Sequence, residues 1–375
     1  MTRDYFQTLN RTGIVRPTLL LDEGTARRNI ARMAALARRS GILFRPHFKT
    51  HRSAHIAGWF RDEGVTAITV SSLLMARYFA AAGWKDITVA FPVNLREEEL
   101  INELAGKITL NLLAEHPATV RELEKQLSHP AGLFLEVDTG YGRSGIPWDQ
   151  TALTDAALEL LQHSRKLRFK GFLAHTGNTY AAASPQEILQ LHEQAVMRMK
   201  TLQERYHSLF PESILSLGDT PAFSLLEKAE DIGEMRPGNF VFYDLMQERL
   251  GACTPADIAV AMACPVAALY PARGEAILYG GAVHFSKEYL PGTEGKIFGR
   301  VLDPTHPERL LPGGSLTALS QEHGTVRLPA AELQKYRRGD LLFLYPVHSC
   351  LTSNLMGSYM LADGRIIPAM NSISG

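Results

Sequence analysis

The stretch Ile42-Leu43-Phe44-Arg45-Pro46-His47-Phe48-Lys49-Thr50-His51 decides how this chain is read. It starts apolar, as a strand buried on both faces does, and runs out into a loop that sets the amine of Lys49 among two histidines and an arginine. An exposed lysine with a pKa near ~10.4 is protonated and a poor nucleophile, whereas neighbouring cations and partial burial favour the neutral form. A lysine so placed is a candidate Schiff-base former. The same residues also describe an ordinary solvated basic turn, and the rest of the chain has to separate the two.

Outward from this stretch, short β-rich runs alternate with amphipathic helical stretches, the pattern of α/β units around a parallel sheet. A strand over 18–21 leads into a helix over 23–39. Strands are then expected over 42–49, 66–70, 87–93, 108–113, 133–139, 168–175, 214–218 and 235–243, with helices over 71–82, 97–104, 118–127, 151–162 and 185–206 among those between them. Eight such repeats predict an α/β fold, a (β/α)8 TIM barrel, over residues 16–250. Beyond about residue 251 the alternation gives way to β-rich runs separated by Gly and Pro, at 259–270, 276–284, 296–302, 316–320, 325–328, 340–345 and 358–361. These predict an antiparallel β domain over 251–375, joined by residues 1–15.

Composition narrows the function. The 375 residues are 45% hydrophobic and 21% charged, enough for a sizeable core, and 39 basic residues balance 39 acidic ones. No global field therefore favours nucleic acid or an anionic membrane, and any anion site must be local. Three scattered cysteines argue for a reducing compartment rather than a disulfide framework. The first residues lack the apolar core of a signal peptide, and no run reaches the ~18 apolar residues of a membrane span. The expected location is cytoplasmic.

In a TIM barrel the chemistry collects at the C-terminal ends of the strands. Lys49 closes the first expected strand and Asn111 lies near the end of the fourth. Asp138 and Arg143 follow the fifth, His175, Asn178 and Tyr180 the sixth, Ser216 to Thr220 the seventh, and Arg236 to Asn239 the eighth. The glycine-bearing loops after strands seven and eight let backbone N–H groups approach an anion, and Ser216 and Thr220 add hydroxyl donors. A lysine facing such a cradle describes how a barrel holds pyridoxal phosphate.

Five motifs sharpen this: Arg45 to His51 (RPHFKTH), Val137 to Gly145 (VDTGYGRSG), Ala174 to Tyr180 (AHTGNTY), Ser216 to Pro221 (SLGDTP) and Glu234 to Asp244 (EMRPGNFVFYD). In this order they resemble the D-threonine aldolase and eukaryotic-type D-serine dehydratase family, within the alanine racemase-like class of pyridoxal phosphate enzymes. The resemblance covers nearly the whole chain. It implies that Lys49 carries the cofactor, that Ser216, Gly218, Thr220, Gly238 and Asn239 surround its phosphate, and that Arg143, Tyr180 and Arg236 lie beside its ring. Arg236 occupies the place of the alanine racemase arginine that faces the pyridine nitrogen. Lys49, His175 and Tyr180 are the candidate catalytic residues.

A last motif, Pro346-Val347-His348-Ser349-Cys350, lies in the second domain. Read as a strand, it turns His348 and Cys350 to one side, where an imidazole and a thiolate could share a metal ion in an open site. The dehydratase branch of the family carries a zinc-binding His-x-Cys here, whereas the aldolase branch has His-x-Asp with a harder metal such as manganese; magnesium is a further alternative. The loop after strand six also lacks the additional histidine associated with the aldolases. Gln321-Glu322-His323-Gly324 reads either as a polar β-turn or as a run near the metal. The expected activity is a lyase acting on D-β-hydroxy amino acids, giving a keto acid and ammonia. Retro-aldol cleavage to glycine and an aldehyde, and amino acid racemisation, are the alternatives. The partner is a small D-amino acid, with neither nucleic acid nor membrane, and the resemblance implies a homodimer.

Overall fold

Runs that are apolar on both faces form the inner wall of the barrel. In Ala67–Val70 every residue is buried, and Ile87 to Val89 and Leu110 to Ala114 repeat the pattern. The structure is a computed structural model that describes residues 1–9, 11–293, 295–303, 305–306 and 308–370. The end of the expected second domain, 371–375, lies outside the described residues.

Eight parallel strands make the barrel: Leu43–Phe44, Ala67–Val70, Asp86–Pro92, Thr109–Ala114, Ala131–Asp138, Leu167–His175, Ile214–Gly218 and Glu234–Met235. From Ala67–Val70 onward each pairs with the next in the chain, and Glu234–Met235 pairs with Leu43–Phe44 in parallel register. A parallel bridge between His47 and Thr69 joins the first strand's extension to the second. Helices Leu73–Ala81, Glu98–Ala105, Pro117–Gln126, Thr151–Gln162 and Pro185–Tyr206 follow their strands as expected. The eighth strand is shorter than its expected span over 235–243, because Pro237 and Gly238 interrupt it and a 3-10 turn forms at Asn239–Val241.

The chain divides into two compact units, one built from Arg32–Lys49 and Ala57–Gly238, the other from Met1–Ala31, Thr50–Ile56 and the residues from Asn239 onward. This corrects the expected placing of the first strand. Thr18–Leu21 does not lead into the barrel; it pairs antiparallel with Val260–Tyr270 and, through Leu20 and Met360, parallel with Ser358–Met360. Leu19, Leu20 and Leu21 are all buried there, so the second sheet claims apolar surface that alternation alone assigned to the barrel.

Among the described residues that second sheet has nine strands; Glu275–Tyr279 pairs antiparallel with both His323–Arg327 and Val260–Tyr270, and Ile366–Pro368 lies at the free edge. The expected run over 276–284 ends early, and Ala282–Phe285 is a helical turn. The His-x-Cys motif departs more. Strand Leu341–Pro346 stops before it, His348 caps helix Ser349–Met356 with extended backbone, and Cys350 lies in the helix's first turn. The two side chains meet across a strand-to-helix corner rather than along a strand. Gln321 to Gly324 forms the turn into strand His323–Arg327, with Ser320 donating to the His323 carbonyl at 2.9 Å.

Candidate functional site

Lys49 sits just past the His47–Thr69 bridge, and the residue before it fixes where it emerges. Phe48 is wholly buried against Phe60, Phe79 and Trp84, with ring centroids 4.8, 5.0 and 5.2 Å away. Its N–H donates to the Thr69 carbonyl at 2.9 Å. Lys49 itself is exposed, so the expected partial burial is absent and its electrostatic surroundings carry the argument. Two of the three expected neighbours are engaged elsewhere. The Arg45 guanidinium lies 2.6 Å from Glu234 and 2.7 Å from Asp86, and His51 is buried with its Nδ1 accepting the Ser53 N–H at 3.1 Å.

Other residues take their place. His47 is pushed well below the ordinary histidine value, first by burial and then by the charges of Lys49, Arg236, His175 and Arg143. His175 falls to about 3, from burial and then the Lys49 charge. Its Nδ1 meets the Gly218 carbonyl, which fixes the tautomer: Nδ1 carries the proton and Nε2 presents a lone pair. Beside it, the Thr176 hydroxyl donates to Asp219, whose other oxygen accepts the Ala222 N–H at 2.7 Å. These links tie the ends of the sixth and seventh strands together. Asp219 is raised to about 6 by burial, against its hydrogen bonds to Thr176 and Ala222.

The loop carrying Arg143 is wound around one carboxylate. Asp138 accepts the N–H groups of Gly140, Tyr141 and Gly142 at 2.8, 2.9 and 3.0 Å. Gly145, at φ 104°, lets the loop fold back so closely that a Cβ would sit 2.8 Å from the Asp138 nitrogen. Ile146–Pro147 then pairs with the end of the fifth strand. Arg143 is exposed, its guanidinium 5.4 Å from the Tyr141 ring centre.

At the two glycine loops, the Gly238 N–H donates to the Thr220 hydroxyl at 3.3 Å, and the Thr220 N–H donates to the Tyr180 hydroxyl at 3.4 Å. A Cβ on Gly218 would sit 3.1 Å from Arg236 Nη1. Gly218, Thr220, Gly238, Tyr180 and Arg236 thus come together as expected. Ser216 does not join them as a free donor: its hydroxyl donates to Glu234 and accepts from Arg236 Nε, both at 2.6 Å. Asn111 likewise lies lower in the barrel than expected, third along its strand, donating to Asp86 at 3.0 Å. Arg236 is drawn down to about 10 by burial, against the opposing charges of Glu234 and Glu136.

In the other unit, His348 and Cys350 interact directly. His348 is raised to about 9: burial opposes the shift, and the hydrogen bond and charge of Cys350 outweigh it. His348 Nδ1 is buried with no hydrogen-bond partner. The Cys350 sulfur lies 3.2 Å from the Thr50 hydroxyl and 3.5 Å from Asn239 Nδ2. Asn239, expected at the phosphate, turns its amide to Asp244 at 2.7 Å and to Ser349 at 3.2 Å. Among the described residues no group of three or more His, Cys, Asp or Glu could hold a metal, so the motif offers a pair of ligands.

Sequence reading missed His47, Glu136, Glu234 and Asp244 as site residues. Glu136 is a buried charge inside the apolar body of strand Ala131–Asp138, on the same face as Phe134 and Asp138, and that interruption was a usable signal. Asp244 stood at the end of a quoted motif without a role.

Two family models match the chain. Residues 21–245 match the model of the alanine racemase N-terminal domain, and residues 259–362 match a putative serine dehydratase domain. The chain is 29% identical over 364 residues to D-threo-3-hydroxyaspartate dehydratase of Delftia sp. (strain HT23), covering 93% of this chain and 95% of that one. The solved structure of that enzyme superposes with a TM-score of 0.88 at 27% identity, covering 98% of this chain and 99% of that one. It has also been solved with a histidine replaced by alanine, and with a cysteine two residues later replaced, the latter in a metal-free form. The D-serine dehydratase of Dictyostelium discoideum is 26% identical over 381 residues, 94% of each chain. D-threonine aldolase of Arthrobacter sp. is 26% identical over 367 residues, 93% of this chain and 90% of that one. An eight-stranded parallel barrel with a lysine at its first strand, followed by the serine dehydratase-type domain, makes this chain a member of the alanine racemase-like (fold type III) pyridoxal phosphate family.

Proposed function

We propose that the protein is a pyridoxal phosphate- and metal-dependent lyase that dehydrates a D-β-hydroxy amino acid to a keto acid and ammonia. The observation that carries the lyase reading is the His348–Cys350 pair, an imidazole with a buried unpartnered nitrogen beside a thiol, and the cysteine in place of an aspartate favours dehydration over retro-aldol cleavage. Racemisation needs only exchange of the α-proton and gains nothing from a ligand pair that could activate a hydroxyl.

The residues fit the cofactor. Lys49 supplies the amine, Arg143 and Arg236 supply positive charge, His47 and His175 stay neutral, and Gly218, Thr220 and Gly238 offer a loop pair suited to a phosphate. The second pair fits a borderline-soft metal such as zinc, because imidazole and thiolate are its preferred ligands and the Thr50 and Asn239 donors stabilise a thiolate. Manganese and magnesium prefer oxygen ligands.

Bound pyridoxal phosphate supplies a sink for the electrons released at the substrate α-carbon, and a bound metal supplies a Lewis acid for the hydroxyl. The chain's own residues do the rest. The Lys49 amine takes the α-proton, the β-hydroxyl departs and, with a proton, becomes water. Hydrolysis of the resulting enamine consumes one water and releases ammonia and the keto acid. His175 presents the neutral Nε2 face of its ring, held by Gly218. Tyr180, bonded to the Thr220 N–H, and Arg143 would flank the cofactor ring.

Purified protein supplied with pyridoxal phosphate and zinc should release ammonia and keto acid from D-serine, D-threonine or D-3-hydroxyaspartate. Glycine plus an aldehyde would favour the second reading, retro-aldol cleavage, which the similarity to the Arthrobacter aldolase keeps open. Alanine racemisation without either product would overturn the lyase reading. We further propose a cytoplasmic location, in keeping with three cysteines that form no disulfide, and a homodimer, as the resemblance to the family implies.

A further inference from the structure

A line of polar side chains runs through the barrel interior from the far end toward Arg236. At the start of the third strand, the half-exposed Asp86 receives Asn111 Nδ2 at 3.0 Å and grips Arg45 with both oxygens, at 2.7 and 3.1 Å. Arg45 is buried and passes its Nε to Glu234 at 2.6 Å. The other oxygen of Glu234 accepts the Ser216 hydroxyl at 2.6 Å, and that hydroxyl oxygen accepts Arg236 Nε at 2.6 Å. Arg236 Nη2 donates to the Ala174 and Ser216 carbonyls at 2.6 and 3.3 Å. Glu234 and Ser216 are wholly buried, and of the four charged members only Asp86, at the far end, is open to solvent.

The order of the links has a consequence. A carboxylate touching Arg236 directly would form a contact ion pair and turn the guanidinium toward itself. Here the carboxylate stands one hydroxyl away. Nε and Nη2 are fixed by neutral oxygens, and Nη1 takes no acceptor among the described residues and lies against Gly218. Glu234 can hold this arrangement because its first oxygen is engaged by Arg45, which Asp86 grips in turn. Four charges alternate in sign along the line and sum to zero, which is how a barrel interior tolerates two arginines.

We propose that Glu234, acting through the Ser216 hydroxyl and clamped by Arg45 and Asp86, is a positioning residue that keeps Arg236 charged and its Nη1 edge free for the cofactor ring. The inference rests on the reading that pyridoxal phosphate binds at Lys49. The charged and titratable groups facing Arg236 are Glu234, Glu136, Arg45, Arg143, His47 and His175. Of these, Glu234 opposes its loss of charge most strongly.

The test is the absorbance band near ~420 nm of protein loaded with pyridoxal phosphate, titrated with pH in the parent chain and in E234Q, S216A, D86N and the double variant E234Q/R236M. E234Q removes a negative charge from the site at constant shape, so the midpoint of the band should fall by at least about 0.5 pH unit. S216A should weaken cofactor binding by about tenfold or more, the scale of one lost hydrogen bond to a charged group. D86N, two links away and partly exposed, should lower the midpoint by less. In the R236M background the E234Q shift should shrink. Midpoints and cofactor affinity unchanged in E234Q and S216A would overturn the proposal, as would an equal E234Q shift without Arg236. If a melting curve shows that E234Q does not fold, S216A and D86N decide on the same criteria. A parent chain with no band removes the cofactor reading and this inference together; a normal parent band with unshifted variants removes this inference alone.

Discussion

Asp244 accepts the backbone N–H of Ser349 at 2.9 Å, the residue between His348 and Cys350. The same oxygen accepts the Ser349 hydroxyl at 3.2 Å and the Asn239 amide at 2.7 Å, while the other oxygen caps helix Leu245–Arg249 through Gln247 at 3.0 Å. One buried carboxylate therefore orients both the helix turn that presents Cys350 and the amide that points at its sulfur. Groups that orient metal ligands typically contribute 10–100-fold to affinity. Asp244→Ala should weaken zinc binding by about that factor while leaving cofactor absorbance near its parental value. A zinc titration checks this, and unchanged affinity would remove Asp244 from the role.

Replacing the ligands themselves separates two halves of the chemistry. His348→Ala or Cys350→Ala should lower keto acid formation from D-serine by about 10²-fold or more. Loss of α-deuterium from labelled substrate should persist, since in the proposed mechanism it requires Lys49 and the cofactor alone. If both rates fall together, the pair acts on folding or substrate binding rather than on the leaving group.

Much of the barrel was legible because its signal is local. Residues 151–162, 185–206 and 214–218 show their periodicity within one element, and the structure forms Thr151–Gln162, Pro185–Tyr206 and Ile214–Gly218. Thr18–Leu21 misled for the opposite reason: an apolar run before a helix fits either sheet, and only its partners, from residues 260 to 263 and 360, decide. His348-x-Cys350 misled on geometry. The pair came together in the helix's first turn rather than along a strand, and no periodicity over three residues distinguishes those. Arg45 was grouped with Lys49 by sequence adjacency, yet its partners Glu234 and Asp86 are far away in the chain and could not have been read from it.

Phe48 links core packing to the position of Lys49. Wholly buried among Phe60, Phe79 and Trp84, it holds the backbone from which the lysine emerges. Phe48→Ala should destabilise the fold by about 3–5 kcal/mol, the usual cost of an aromatic-sized core deletion. Urea unfolding measures it. A loss below about 1 kcal/mol would mean the cluster collapses around the gap and does not anchor the loop.

Acid stability should be governed by histidines buried in neutral form. His51 and His175 fall to about 3, His192 to about 4 and His47 well below its ordinary value, burial being the leading cause in each. Their native pKa values lie below the unfolded value of about 6.5, so between these limits the unfolded chain binds more protons and stability falls as pH falls. Asp219 has the opposite sign: raised to about 6 by burial, it takes up protons in the folded state and favours folding as pH falls through that range. Glu136, also raised by burial, has the sign of Asp219, and the four histidines outweigh these two carboxyls. The midpoint of urea unfolding should therefore drop steadily as pH falls from about 6.5 toward 4, with net proton uptake on unfolding. His192 lies against Phe223, with ring centres 5.4 Å apart, and is assigned no catalytic role, so His192→Phe should flatten part of this slope without changing the cofactor spectrum. A pH-independent midpoint across that range would show that the histidines are hydrated and free to charge in the folded protein.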